Sequence, residues 1–213
     1  ATFATMVEGM DQSLADIRSS LERLGVENDT VVIFMSDNGS PSSCVRNKPL
    51  RGHKITAYEG GTRVPFAIYI PGKTESNIRL DTPIIIEDLF PTILELAGIK
   101  KRPRIVDGQS ILPIIEGKQA PNDRPLIWHY PNYYDQPAYS SIRIRNWKLI
   151  YWHASQQSVL YNLAEDLSET TDLSSSNPRI RRHLSQTLGA YLRDVQAAMP
   201  IIQATQEPVP YPH

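Results

Sequence analysis

Cysteine is almost missing from this chain: Cys44 stands alone among 213 residues. One thiol cannot build an internal disulfide framework, which removes the small disulfide-stapled folds. No apolar stretch approaches the roughly 20 residues that a membrane helix requires. No sustained basic run occurs and the net charge is −1, so no nucleic-acid partner is expected. The segment from Ala1 is broken by Glu8 and Asp11 and does not read as a signal peptide. Internal repeats are absent as well.

What is present is an ordinary globular composition, 40% hydrophobic and 21% charged. The 17 prolines gather in loops and in the C-terminal tail, which suits a loop-rich enzyme better than a helical bundle. The length accommodates one large domain or two modest ones.

Apolar residues at Phe3, Met6, Val7, Met10, Leu14, Ile17, Leu21 and Leu24 step by three and four, which predicts an amphipathic helix closed by Gly25. The run from Thr30 to Met35 then reads as a strand. Its unbroken apolar character predicts burial on both faces, as in a parallel sheet flanked by helices. Val64 to Ile70 reads as another strand. Leu89 to Ala97 reads as a short helix with Pro91 in its first turn and Gly98 as its stop. Polar residues between Gly117 and Arg124 place a subdomain boundary there, giving expected units of 1–118 and 119–213. Beyond it, Pro125–His129, Ser140–Arg145, Lys148–Trp152 and Val159–Asn162 read as strands, with a hairpin at Asn146. Ile180 to Met199 carries a second helical stripe. The tail from Pro200 reads as an extended strap or as disordered.

The chemistry concentrates between Val31 and Gly72. The apolar strand delivers Ser36-Asp37-Asn38-Gly39 at its carboxyl end, where ligands of such sheets bind. Asp37 and Asn38 offer hard oxygen donors suited to calcium or magnesium, and calcium fits better than zinc because no cysteine or histidine cluster lies nearby. Taken alone, the same residues also make a common turn. Lys54 follows in a glycine-punctuated loop, Arg51-Gly52-His53-Lys54 before Glu59-Gly60-Gly61, and suits a bound anion. A cation and an anion site together point to a sulfate or phosphate ester. Arg63 and Glu59 are expected to pair and hold the loop. His129, in Trp128-His129-Tyr130-Pro131, is a candidate carbohydrate contact with Tyr133 and Tyr134 on the same rim. Packing is the alternative for that ring. Cys44 reads as an inert loop thiol.

These residues resemble the sulfatases of the alkaline-phosphatase superfamily. The shared pattern is Ser36-Asp37-Asn38-Gly39, then Gly52, Lys54, Tyr58, Glu59, Gly60, Gly61, Arg63 and Pro65. It continues through Glu87–Gly98, Asp107-Gly108-Gln109-Ser110, Ile142–Ile150 and Leu160-Tyr161-Asn162-Leu163 to Asp172-Leu173. The resemblance implies that Asp37 and Asn38 ligate calcium, that Lys54 contacts the sulfate, and that the substrate is a sulfated carbohydrate or an aryl sulfate. It implies a periplasmic or secreted enzyme. The implied fold is α/β: the C-terminal part of an alkaline-phosphatase-like sandwich, mostly parallel sheet with flanking helices, plus a small antiparallel-sheet-and-helix subdomain.

The family's nucleophile, a formylglycine made in a C-x-P-x-R or S-x-P-x-R context, has no counterpart here; Cys44 is followed by Val45-Arg46-Asn47-Lys48. The family's upstream Asp pair and catalytic histidine are also lacking. The expectation is therefore a C-terminal portion, inactive alone, that works with a missing N-terminal half carrying the formylglycine. The other readings are a phosphonate or phosphodiester hydrolase of the same superfamily, and a non-catalytic carbohydrate-binding remnant.

Overall fold

The computed structural model of the chain describes residues 2–42, 47–99, 105–118 and 123–213. Cys44 and the Pro121-Asn122 part of the expected boundary lie outside the described residues. Contacts divide the chain into two units: Ala1–Asp37, Pro65–Thr82 and Ile86–Ala120 form the first, and Asn38–Val64, Pro83–Ile85 and Pro121–His213 the second. One break falls beside the expected divide, while the 38–64 loop groups with the C-terminal residues.

In the first unit, helix α1 spans Thr2–Leu24. Gly25 ends it at φ +67°, with Gly25 N–H on Glu22 O and Val26 N–H on Leu21 O, the paired bonds of a Schellman cap. The helical stripe is real, yet Phe3, Met6, Met10, Ile17 and Leu24 are all exposed. Strand β1 (Val32–Met35) pairs with β2 (Phe66–Tyr69) in antiparallel register, Val32 opposite Tyr69 and Met35 opposite Phe66. β1's described partner runs antiparallel, and Phe34 is exposed among the described residues. A continuous apolar run reports hydrophobicity and carries no information about the direction of its neighbour. A short helix, α2 (Glu59–Thr62), lies in the loop between these strands and belongs to the second unit. Helices α3 (Leu89–Leu96) and α4 (Leu112–Ile115) complete the first unit. They are joined by buried polar groups. Asp88 Oδ1 accepts Gln109 N–H at 2.8 Å, and Thr92 Oγ1 accepts Ile111 N–H at 3.0 Å.

The second unit is a four-stranded antiparallel sheet in the order β3 (Leu126–Tyr130), β4 (Tyr139–Ile144), β5 (Trp147–Trp152), β6 (Gln157–Asn162). Ile144 pairs with Trp147, so Arg145 and Asn146 make a two-residue turn, and Arg145 rather than Asn146 takes the left-handed angle, φ +53°. Alternation along the strands separates two faces. Ile142, Leu149, Tyr151 and Leu160 pack with Leu184, Leu188 and Leu192 of helix α5 (Pro178–Asp194). Tyr139, Ile150, Tyr161 and Leu163 pack with Ala57 of the 38–64 loop on the other face. Both faces are therefore covered. Helix α5 stops five residues before the predicted Met199, with Gln196 left-handed at φ +52°. The tail is a strap: Tyr211 donates to Ala197 O at 3.0 Å and Tyr151 to Pro210 O at 2.9 Å.

Candidate functional site

The site is built from a loop that turns on close backbone contacts. A Cβ on Gly39 would stand 2.0 Å from Gly60 O, one on Gly60 2.3 Å from Gly52 O, and one on Gly61 2.2 Å from Thr56 O. Only glycine lets these segments stack. Gly39 N–H donates to Gly61 O at 3.2 Å, and Lys54 N–H donates to Ser40 O at 2.9 Å. Asn47 ties the same pieces together: its Oδ1 accepts from Ser40 Oγ at 2.7 Å and its Nδ2 donates to Gly52 O at 3.2 Å. Asn38 is thereby held on a segment hydrogen-bonded to the loop of Lys54.

Lys54 is exposed, on a backbone that has little freedom. Gly52 has φ +78°, and Ile55, a β-branched residue, is left-handed at φ +79°. That angle is a strained one for isoleucine and persists only where surrounding bonds enforce it. Here Thr56 N–H donates to His53 O at 3.0 Å, and His53 N–H donates to Thr56 Oγ1 at 3.1 Å. His53 supports the same turn, its Nδ1–H donating to Lys54 O at 3.0 Å.

Beneath the loop lies a buried ionic cluster. Lys148, on β5 and 0% exposed, places Nζ 2.9 Å from Glu59 Oε1 and 3.0 Å from Glu169 Oε1. Glu59 Oε2 receives Arg63 Nε at 2.7 Å, the pairing expected from sequence, and lies 3.7 Å from an Arg143 nitrogen. Glu169 Oε2 accepts the backbone N–H of Glu59 at 2.6 Å. Arg51 donates to Glu169 O at 2.6 Å with its guanidinium 3.9 Å above the Tyr58 ring. Burial alone would raise the Glu59 carboxyl, but Lys148 and Arg63 outweigh it and hold Glu59 below its ordinary range. Burial wins at Glu169, which is pushed up because Lys148 and the Glu59 N–H offset it only in part. Removing Lys148 would strand two buried carboxylates, a loss of about 3–5 kcal/mol for a broken buried pair.

His129 lies elsewhere. Along β3, Trp128 and Tyr130 join the loop-facing cluster, so His129 points to the α5 face of the sheet. Its Nδ1 is 2.8 Å from Ser140 Oγ and its Nε2 2.9 Å from Ala198 O. Ser140 Oγ is in turn 2.8 Å from His153 Nε2. A carbonyl only accepts, so His129 carries its proton on Nε2 and Ser140 donates to Nδ1, leaving Ser140 to accept from His153. Both His129 nitrogens are engaged within the sheet and tail, and the ring faces away from Lys54's loop. This arrangement fits the packing alternative for that ring.

Asp37 is exposed and directly precedes Asn38. The two supply one carboxylate and one amide oxygen, donors that fit calcium as part of a larger oxygen shell. Among the described residues no group of three or more His, Cys, Asp or Glu side chains could hold a metal ion. Sequence reasoning missed Asn47, Lys148 and Glu169. Lys148 left a trace as a charge at an inward position of an otherwise aromatic and aliphatic strand, and Glu169 lies within the family-like segment from Leu160 to Leu173.

The sulfatase family profile matches residues 1–99, and a profile described as N-sulphoglucosamine sulphohydrolase, C-terminal, matches residues 53–197. A "Sulfatase" of Formosa agariphila is 34% identical over all of this chain and 43% of its own length. Human steryl-sulfatase is 34% identical over 62% of this chain and 24% of its own. The chain thus spans less than half the length of the curated relatives it matches. Among solved structures, Ps i-CgsB in complex with k-i-k-neocarrahexaose superposes with a TM-score of 0.80 at 28% identity, covering 89% of this chain and 42% of that one. A protein solved with its substrate D-glucosamine-2-N,6-O-disulfate superposes at 0.75 with 21% identity, which supports the fold alone. With a profile over residues 53–197 and a relative 34% identical over all of this chain, the chain belongs to the sulfatase family.

Proposed function

We propose that this chain forms part of a hydrolase of sulfated carbohydrates, in which Lys54 contacts the sulfate and Asp37 and Asn38 contribute to a calcium site. The nucleophile, a formylglycine, would come from outside these residues, and the chain alone would be inactive. The observation that carries the reading is the pair of backbone bonds, Gly39 to Gly61 and Lys54 to Ser40, that set Asn38 beside the loop presenting an exposed lysine. An ammonium fixed on a stiff turn stabilises the sulfate oxygens as the S–O bond breaks, without reorganising. Calcium, when bound, would polarise the sulfate. Asp37 and Asn38 would orient it through hard oxygens, and Asn47 would keep Ser40 and the loop in register. The carbohydrate class is supported by the neocarrahexaose bound to Ps i-CgsB and by the description of the profile over residues 53–197.

The test is turnover of a sulfated oligosaccharide and of a phosphodiester by the enzyme containing this chain. Lys54→Ala is expected to lower kcat on the sulfate ester by about 100-fold or more. Asp37→Ala is expected to weaken calcium binding measured by calorimetry. Unchanged turnover by Lys54→Ala, or preference for the phosphodiester, would overturn the proposal.

A further inference from the structure

We propose that Lys148 is a positioning residue for Lys54: a buried ammonium that, through Glu59 and Glu169, holds the strained turn presenting Lys54. The proposal rests on the reading of Lys54 as the sulfate contact.

Lysine is among the residues least often buried, and replacing a buried ion pair with apolar groups of similar volume is often neutral or stabilising. Beside its two carboxylates, Lys148 shares its face of the sheet with the buried Ile150 and Tyr161. The cluster as a whole therefore contributes little net stability over an apolar filling, although removing Lys148 alone would leave two carboxylates stranded. Geometry supplies the reason for a cation there. Glu59 opens α2 and is gripped twice, its carboxylate by Lys148 at 2.9 Å and its N–H by Glu169 at 2.6 Å. From that anchored residue the backbone contacts run in order. Gly60 sits on Gly52 and Gly61 on Thr56, so the two left-handed residues on either side of Lys54, Gly52 and Ile55, are boxed in. Gly61 O also takes the Gly39 N–H, one residue from Asn38. Lys148 acts through Glu59 and Glu169, and the cluster around it sets the frame of the turn that presents Lys54. A displacement of about 1 Å at a catalytic group can lower the rate on the order of 100-fold.

The test is a kinetic cycle in the full enzyme with Lys148→Met, Lys54→Ala and the double variant, scored as kcat and KM on a sulfated oligosaccharide. Lys148→Met is expected to lower kcat by about 30-fold or more with KM within about twofold, because the lost contact acts in the transition state. In the Lys54→Ala background the same change should cost less than about threefold, since its effect passes through Lys54. A merely structural lysine would cost the same in both backgrounds, and that result would overturn the proposal. So would an unchanged kcat in folded Lys148→Met. If Lys148→Met fails to fold, Glu169→Gln keeps the Lys148–Glu59 pair and takes its place in the cycle, with the same non-additivity expected. Full turnover by Lys54→Ala alone would instead remove the reading of Lys54 itself.

Discussion

Gly39 shows how a single hydrogen in place of a side chain can be required without any unusual backbone angle. Its virtual Cβ meets Gly60 O at 2.0 Å and Gly61 Cα at 2.8 Å, all backbone atoms that cannot swing aside. Gly39→Ala is expected to destabilise the second unit by about 2–3 kcal/mol, the range of an overpacked interior, read as a lower urea midpoint. At Gly25, where nothing lies within 4 Å and φ is +67°, alanine should cost only about 1 kcal/mol through the left-handed angle. Equal midpoints for Gly39→Ala and the parent would disprove the stacking of the loop. The Asn38-Gly39 pair looked like a turn signal in sequence; its glycine serves close approach.

Helix α5 was legible in the sequence because its stripe is regular, and its end was not. Leu184, Leu188 and Leu192 are all buried against β4, β5 and β6, whereas Tyr191 is exposed. Leu188→Ala is expected to cost about 2–5 kcal/mol by opening a cavity, and Tyr191→Ala far less, both measured by chemical denaturation. Gly189 interrupts the helix at a cost of about 1 kcal/mol relative to alanine. The reason lies outside the helix: a Cβ there would stand 1.9 Å from Pro212 O. The strap decides that glycine, and no periodicity within the helix could have announced it. The four strands were found within two residues at each end, since their alternation follows from the two covered faces.

Across the whole molecule, buried titratable groups shape the response to pH. His153 is buried, and its Nδ1 has no hydrogen-bond partner. Burial, with a smaller contribution from His129, pushes its pKa from 6.5 down to about 4. A depressed folded value means that the unfolded chain binds the proton first. The stability this residue contributes is present above 6.5 and is lost as pH falls toward about 4. The melting temperature is expected to drop across that window, and His153→Gln should flatten the slope; an identical slope in the variant would count against it. Glu59, also depressed, loses its contribution at still lower pH, below the ordinary carboxylate value of 4.5. Among the described residues no helix is long and apolar enough to cross a membrane, in line with the sequence.

The sequence by itself determined the family, the loop that carries Lys54, and nearly every helix and strand. Those depend on local periodicity, turn chemistry and a motif whose residues are neighbours in the chain. Only the tertiary structure decided which way β1's partner runs, that His129 faces α5, and that Lys148 meets Glu59 and Glu169. Each of these is a relation between segments far apart in sequence: 89 residues separate Lys148 from Glu59. An inward lysine reads in sequence as one more charge until folding brings its two carboxylates to it.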